Sequence, residues 1–250
     1  CDIVASQDVL DEYNDSEGTF YSMLPSDTYT LDKNIVIANG KKSVNPKLHI
    51  EGSKLTFGNY ILPITLQNTS KFTIDTEKDT YLIGIFIEAP LLNRTGWEVI
   101  DWTTYASAGE GENGGVDKIL DGDLNTYWHS QWTGGTPENP NNPVLPHYLV
   151  IDMKDQYNIT QIDISRRNNN SATKAGEFYI TNDDVPAMIA AGKKDQIKWQ
   201  NIGKFLLDTV NGAQKFGTLK AKGRYVKVNI TESRNGNVTS LAEIEVHGYK

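Results

Sequence analysis

The sequence holds a single cysteine among 250 residues, Cys1, so no intrachain disulfide can form. A cysteine in first position reads in two ways. It is the lipid-carrying first residue of a mature bacterial lipoprotein, or an ordinary strand residue of a chain that begins inside a domain. No apolar run approaches the roughly 18 residues that a membrane-spanning helix needs, and the mean hydropathy is -0.47. Basic excess is also missing: 24 Lys and Arg face 32 Asp and Glu, for a net charge of -8. Residues 1–93 carry 13 acidic and 7 basic side chains, and 94–250 carry 19 and 17. Neither part offers the basic face that nucleic acid or an anionic bilayer requires. Partners of that kind are therefore not expected, and membrane association is limited to a lipid anchor on Cys1.

Catalytic signatures are equally sparse. The four histidines, His49, His129, His147 and His247, are scattered and show no metalloenzyme spacing. There is no G-x-S-x-G, and Cys1 has no activating neighbour. Carboxylates abound, but none stands on the helical or barrel frame of a glycosidase. An enzyme is not expected.

What is present is β-rich. Segments 35–38, 47–51, 60–66 and 81–88 are dense in β-branched and aromatic residues and are separated by Asn-Gly, Gly-Ser and Gly-Asn turns. Their spacing predicts an antiparallel sandwich. Ala89 and Pro90 break this pattern, and 91–96 reads as a linker. Beyond it, 97–105, 148–152, 158–165, 177–181, 199–207, 216–219, 224–230 and 242–249 read as strands of a second domain. One helix is expected, over 184–194, with Pro186 in its first turn. The segment G-E-G-E-N-G-G at 109–115 lacks the Gly-Lys-Ser/Thr of a phosphate loop and reads as a mobile surface loop. Segment 133–146, dense in Gly, Pro and Asn, reads as a loop.

The most informative stretch is K-I-L-D-G-D-L-N-T-Y-W-H-S, residues 118–130. Asp121, Asp123 and Thr126 put three oxygen side chains into six residues, with Gly122 permitting a tight fold. A hard cation takes six to eight oxygens, and such a loop can supply most of them. As a bare D-G-D, the same residues also fit a polar turn. Trp128 follows at once as a core anchor. At the far end, S-L-A-E-I-E-V-H-G (240–248) reads as a last strand opening on Glu243.

Together these two motifs resemble the coagulation factor V/VIII type C (discoidin) domain, which includes the family 32 carbohydrate-binding modules. The resemblance covers roughly 94–250. It implies a galactose-binding-like β-sandwich jelly roll and a structural Ca²⁺. The ion's ligands would be Asp121, Asp123, Thr126, the Glu243 carboxylate and the carbonyls of Lys118 and Ala242. It also implies a glycan site on loops at one end of the sandwich. There a His, an Arg and an Asn bond the sugar hydroxyls and a ring takes the sugar's apolar face. The matching positions are His129, Arg166 or, by alignment, Arg167, and Asn169 or Asn170. Trp132 is the replacement platform, since the loop at 232–238 has no aromatic.

Toward the start of the chain, Y-N at 13–14, Y-S-M-L-P-S-D-T-Y at 21–29 and G-N-Y-I-L-P at 58–63 resemble a Bacteroidetes lipoprotein domain, the domain of unknown function 1735. That domain accompanies glycan-binding proteins and family 18 endoglycosidases. The expected architecture is all-β: an immunoglobulin-like sandwich over 1–90, incomplete if the chain begins inside it, a linker at 91–96, and a discoidin domain over 97–250. The expected function is non-catalytic glycan binding at a bacterial cell surface, as an outer-membrane lipoprotein. The rivals are a cell-adhesion protein that binds a protein or host-matrix partner, and an accessory fragment of a glycoside hydrolase.

Overall fold

The computed structural model describes all 250 residues as two compact units, Cys1–Glu88 and Ala89–Lys250. In the first, β5 (Gly58–Gln67) is hydrogen-bonded to β1 (Asp2–Ala5), β2 (Ser22–Met23) and β6 (Thr80–Ile87). A separate hairpin pairs β3 (Tyr29–Leu31) with β4 (Leu48–Ile50). Leu24, Tyr60 and Leu62 form a buried core cluster of this unit. The expected strand at 60–66 is part of β5 and that at 81–88 is β6, whereas 35–38 forms none. One helix went unforeseen, α1 (Gln7–Glu17), in a domain expected to be all-β. Ser6 caps its N-terminus, Gly18 ends it at φ 64°, and Leu10 alone is buried on it. The Y-N motif lies at its end. Asn14 Oδ1 accepts from the Tyr21 N–H and its Nδ2 donates to the Tyr21 carbonyl, which closes the turn into β2.

The second unit is a β-sandwich. Its main sheet runs β11 (Gln200–Leu206), β10 (Thr173–Thr181), β12 (Ala213–Ser233), β9 (His147–Ser165) and β14 (Glu243–Tyr249), with β7 (Glu98–Trp102) also on β9. A two-stranded sheet pairs β8 (Trp128–His129) with β13 (Ser240–Leu241). The strands expected at 148–152 and 158–165 are one bent strand, as are those at 216–219 and 224–230. β9 turns at Lys154, which has φ 65°, and β12 shifts register between Gly217 and Ala221. Alternation sets the core. Leu149, Ile151 and Met153 of β9 share one core cluster with Val226, Val228 and Ile230 of β12, Ile244 and Val246 of β14, and Trp128. Trp128 is fully buried, as its position predicts, and its indole N–H reaches the Thr104 carbonyl at 2.9 Å.

The helix expected over 184–194 is shorter: α2 (Val185–Ala190), capped by Asp184 with proline in its first turn. The supposed linker 91–96 is integrated into this unit. Leu92 is buried and its N–H reaches the Val246 carbonyl, while Arg94 contacts Glu243. Apolar Leu92 and a buried carboxylate partner for Arg94 explain why these residues pack.

Candidate functional site

Two neighbouring groups occupy the loops. The first joins the 121–126 loop to the last strand. The Gly122 N–H donates to Glu243 Oε1 at 2.6 Å across 121 residues of sequence. Gly122 has φ 82°, a value that glycine adopts without strain. Thr126 Oγ1 donates to Asp121, at 2.7 Å to the nearer oxygen, and the Asp123 N–H donates to Asp121 Oδ1. Asp123 turns the other way, its carboxylate accepting from the Asn125 backbone and side chain. Lys118 stands on a 3₁₀ turn, with its ammonium 3.7 Å from Asp121. Ala242 directly precedes Glu243 and is buried.

The Asp121 and Glu243 carboxylates lie within hydrogen-bonding reach of each other. Burial pushes the Glu243 carboxyl above its ordinary range, against the pull of Arg94 and the Gly122 N–H. Burial also acts to raise Asp121, but bonds from Thr126 and the Asp123 N–H outweigh it and the net shift is downward. Two carboxylates pressed together with a hydroxyl and no sulfur or imidazole make a donor set suited to a hard cation. Arg94 was not among the expected site residues. Its guanidinium pairs with Glu243 Oε2 and donates to the Ile244 carbonyl at 2.9 Å. A cation at this place would share Glu243 with it.

The second group is centred on Glu110, in the glycine-rich segment expected to be mobile. That segment is instead fastened. Gln131 Oε1 accepts from the Ser107 N–H at 2.6 Å, and Asn113 Oδ1 accepts from the Tyr127 N–H. Gly109 lies so close to Trp132 and Thr133 that a Cβ would meet them at 3.1 and 2.8 Å. Glu110 is thereby held in the loop floor, its side chain 7% exposed. It accepts from Trp132 Nε1 at 2.7 Å and from the Tyr127 hydroxyl at 2.6 Å, and Arg167 Nη1 lies 3.4 Å away. The Arg167 guanidinium also stacks on the Tyr127 ring, 3.8 Å from its centroid. Trp132 remains 44% exposed. The result is a rigid indole beside a cation, both fixed by one carboxylate.

The expected ligand residues therefore separate. Trp132 and Arg167 come together in this group. His129 joins it from below, 4% exposed, its ring edge-on to Trp132 and Tyr127. Its Nδ1–H donates to the Ser130 carbonyl at 2.7 Å, which leaves Nε2 as an acceptor. Arg166 does not join. It is 2% exposed and spends its guanidinium on the carbonyls of Thr209, Val210 and Asn170, so it holds loops together. Asn170 uses Oδ1 to accept the Ala172 N–H, and Asn169 is an exposed turn residue at φ 57°. Glu110 and Tyr127 were missed. Tyr127 is adjacent to Trp128 in sequence, but nothing local connects either residue to Arg167.

A family model for the F5/8 type C domain matches residues 102–244, and a second, for an N-terminal domain, matches residues 1–73. Among solved structures, the C-terminal domain of a chitobiase from Bacteroides fragilis is 29% identical, with a TM-score of 0.52. The match covers 64% of this chain and 97% of that one. A family 32 carbohydrate-binding module of Clostridium perfringens, solved with GalNAc-β-1,3-galactose, is 19% identical with a TM-score of 0.50, covering 63% and 99%. A sialidase of Micromonospora viridifaciens is 23% identical over 147 residues, 56% of this chain; the match spans only 20% of the sialidase.

Proposed function

Given that the chain belongs to the F5/8 type C domain family, we propose that it is a non-catalytic carbohydrate-binding protein. Its ligand lies on the loops that carry Trp132 and Arg167. The observation that carries this reading is the Glu110 group: an exposed indole and a guanidinium held by one buried carboxylate. Neutral sugars need an apolar ring face covered and hydroxyls paired, in a shallow site. Trp132 offers the face, Arg167 the donors and His129 Nε2 an acceptor. Because both Trp132 and Arg167 are fixed before binding, little side-chain entropy is lost. The site remains shallow, so affinity is weak, roughly millimolar to high micromolar. Display in many copies on a cell surface offsets that weakness.

In this reading Ca²⁺ is structural. Asp121, Thr126 and Glu243 would hold it, with Asp123, through its side chain or carbonyl, and the carbonyls of Lys118 and Ala242 as the further ligands. When bound, it neutralises the paired carboxylates and ties the loop to the last strand. It takes no part in sugar contact.

A glycan array probed with the intact protein, and again with Trp132→Ala, tests the reading. Retention of glycans by the parent and their loss in the variant support it. A parent that retains no glycan favours the adhesion alternative.

A further inference from the structure

The other face of the main sheet carries a second concave feature that shares no residue with the Glu110 group. Between β10 and β11 the chain crosses this face as α2 and a 3₁₀ turn, burying Val185 and Ile197 on Val150 and Tyr225. A cleft of about 250 Å³ remains beside them, lined by Tyr148, Val150, Trp199, Lys194, Lys227, Asp101 and Asp195. Its floor is set by register, since Lys227 of β12 sits opposite Val150 of β9 and Tyr179 of β10.

Lys227 is the unusual member. Its ammonium lies 4.7 Å from the Tyr148 ring centroid, 5.6 Å from Trp199 and 5.8 Å from Tyr179. It makes no ion pair and no hydrogen bond. The neighbouring Lys194 is differently placed, bonded to Asp101 at 2.8 Å and to the Tyr148 hydroxyl. Asp101 is thereby occupied, and Asp195 is an exposed residue at the rim. The cleft thus presents one unpaired, partly buried cation among aromatic walls. Burial pushes the Lys227 amine below its usual range; Lys194 adds to this and Asp101 opposes it. An anion delivered to this cation would offset the cost of burying it.

We propose that this cleft is a second binding site, for a single sugar ring bearing a carboxylate. Lys227 pairs with the carboxylate, and Trp199 and Tyr148 face the ring. The volume falls below the range of drug-sized pockets and suits one small ring. Aromatic walls suit the C–H face of a sugar, and an ammonium that has aromatic neighbours but no carboxylate partner selects an acid over a neutral sugar. The choice of a sugar rests on the carbohydrate reading above; the choice of an acid rests on Lys227 alone.

The test uses the full chain labelled with nitrogen-15 and follows its five tryptophan indole N–H resonances. The chain is titrated with methyl glucuronide and, in parallel, with methyl glucoside, which differs only at the carboxylate. Glucuronide is expected to move the Trp199 resonance saturably, and glucoside to bind there at least about tenfold more weakly, as loss of a charge-assisted bond implies. Lys227→Met and Lys227→Gln should both lose the glucuronide shift while leaving the other resonances and the melting temperature in place. The proposal is overturned if Trp199 stays still, if it responds equally to both sugars, or if the response survives in whichever lysine variant folds. The loop-end reading fails separately, by Trp132 remaining still with every neutral sugar that the array retains.

Discussion

The indole N–H of Trp132 donates to Glu110 Oε1 at 2.7 Å, across 22 residues of sequence. The same carboxylate reaches Tyr127 and Arg167, so one buried charge orders the aromatic and cationic members of the loop end together.

Glu110→Gln should therefore disorder the site without unfolding the domain. The amide keeps the shape but removes the charge that Arg167 and Trp132 share. Sugar affinity should fall about tenfold, because bonds to a charged group contribute about 1.5–3 kcal/mol and part of that is recovered in water. Titration calorimetry against the parent checks this. Equal affinity would mean that Trp132 and Arg167 are held by other groups.

Arg94 and Glu243 form a partly buried ion pair, 16% and 4% exposed. Removing one member strands the other, at a cost of about 3–5 kcal/mol in comparable cases. Arg94→Ala should lower the melting temperature. Chelation should lower the parent's further, because an ion that binds only the folded state stabilises it. The Arg94→Ala deficit should be smaller with calcium than with chelator, since the ion would take over the charge on Glu243. Melting curves of both proteins that ignore calcium would remove the ion from the account.

Stability should also fall as the pH drops from 7 toward 5. His147 is fully buried. Its Nε2–H donates to the Pro143 carbonyl and its Nδ1 accepts from the Thr239 hydroxyl. Burial lowers its pKa, as it does that of His129. The unfolded chain then binds protons more readily than the fold, so stability is full above about 6.5 and is lost as pH falls from there toward the folded value. His147→Gln should flatten the dependence of melting temperature on pH in that window. An unchanged slope would assign the dependence to His129 or to other groups.

Local chemistry made part of this molecule legible. The D-G-D-x-x-T-x-W run marked a tight turn followed by a core Trp128, and the resemblance that it shares with the A-E-I-E-V ending implied that Asp121, Thr126 and Glu243 meet; no local pattern in either segment implies that meeting. Helix α1 escaped because a single buried leucine gives no period, although Ser6 and Gly18 marked its ends. The bent strand β9 read as two because Lys154 to Asn158 are polar where the strand crosses the edge of the core. Glu110, Tyr127 and Arg94 were not legible. Their roles come from partners 17 to 149 residues away, which periodicity does not encode. Arg166 and Arg167 are adjacent in sequence; alignment to the resembled family favoured Arg167, while the commitment of Arg166 to loop carbonyls is visible only in the packing.

The most direct test of the loop-end site is the glycan array run in parallel on the parent, Trp132→Ala and Arg167→Ala, with melting temperatures measured beside it. Trp132 and Arg167 are not among the calcium residues, so both variants should melt close to the parent with and without chelator. The expected result is that the parent retains a set of neutral glycans and both variants lose it. Variants that fold normally and retain the same glycans as the parent would contradict the assignment and place carbohydrate binding elsewhere on the molecule.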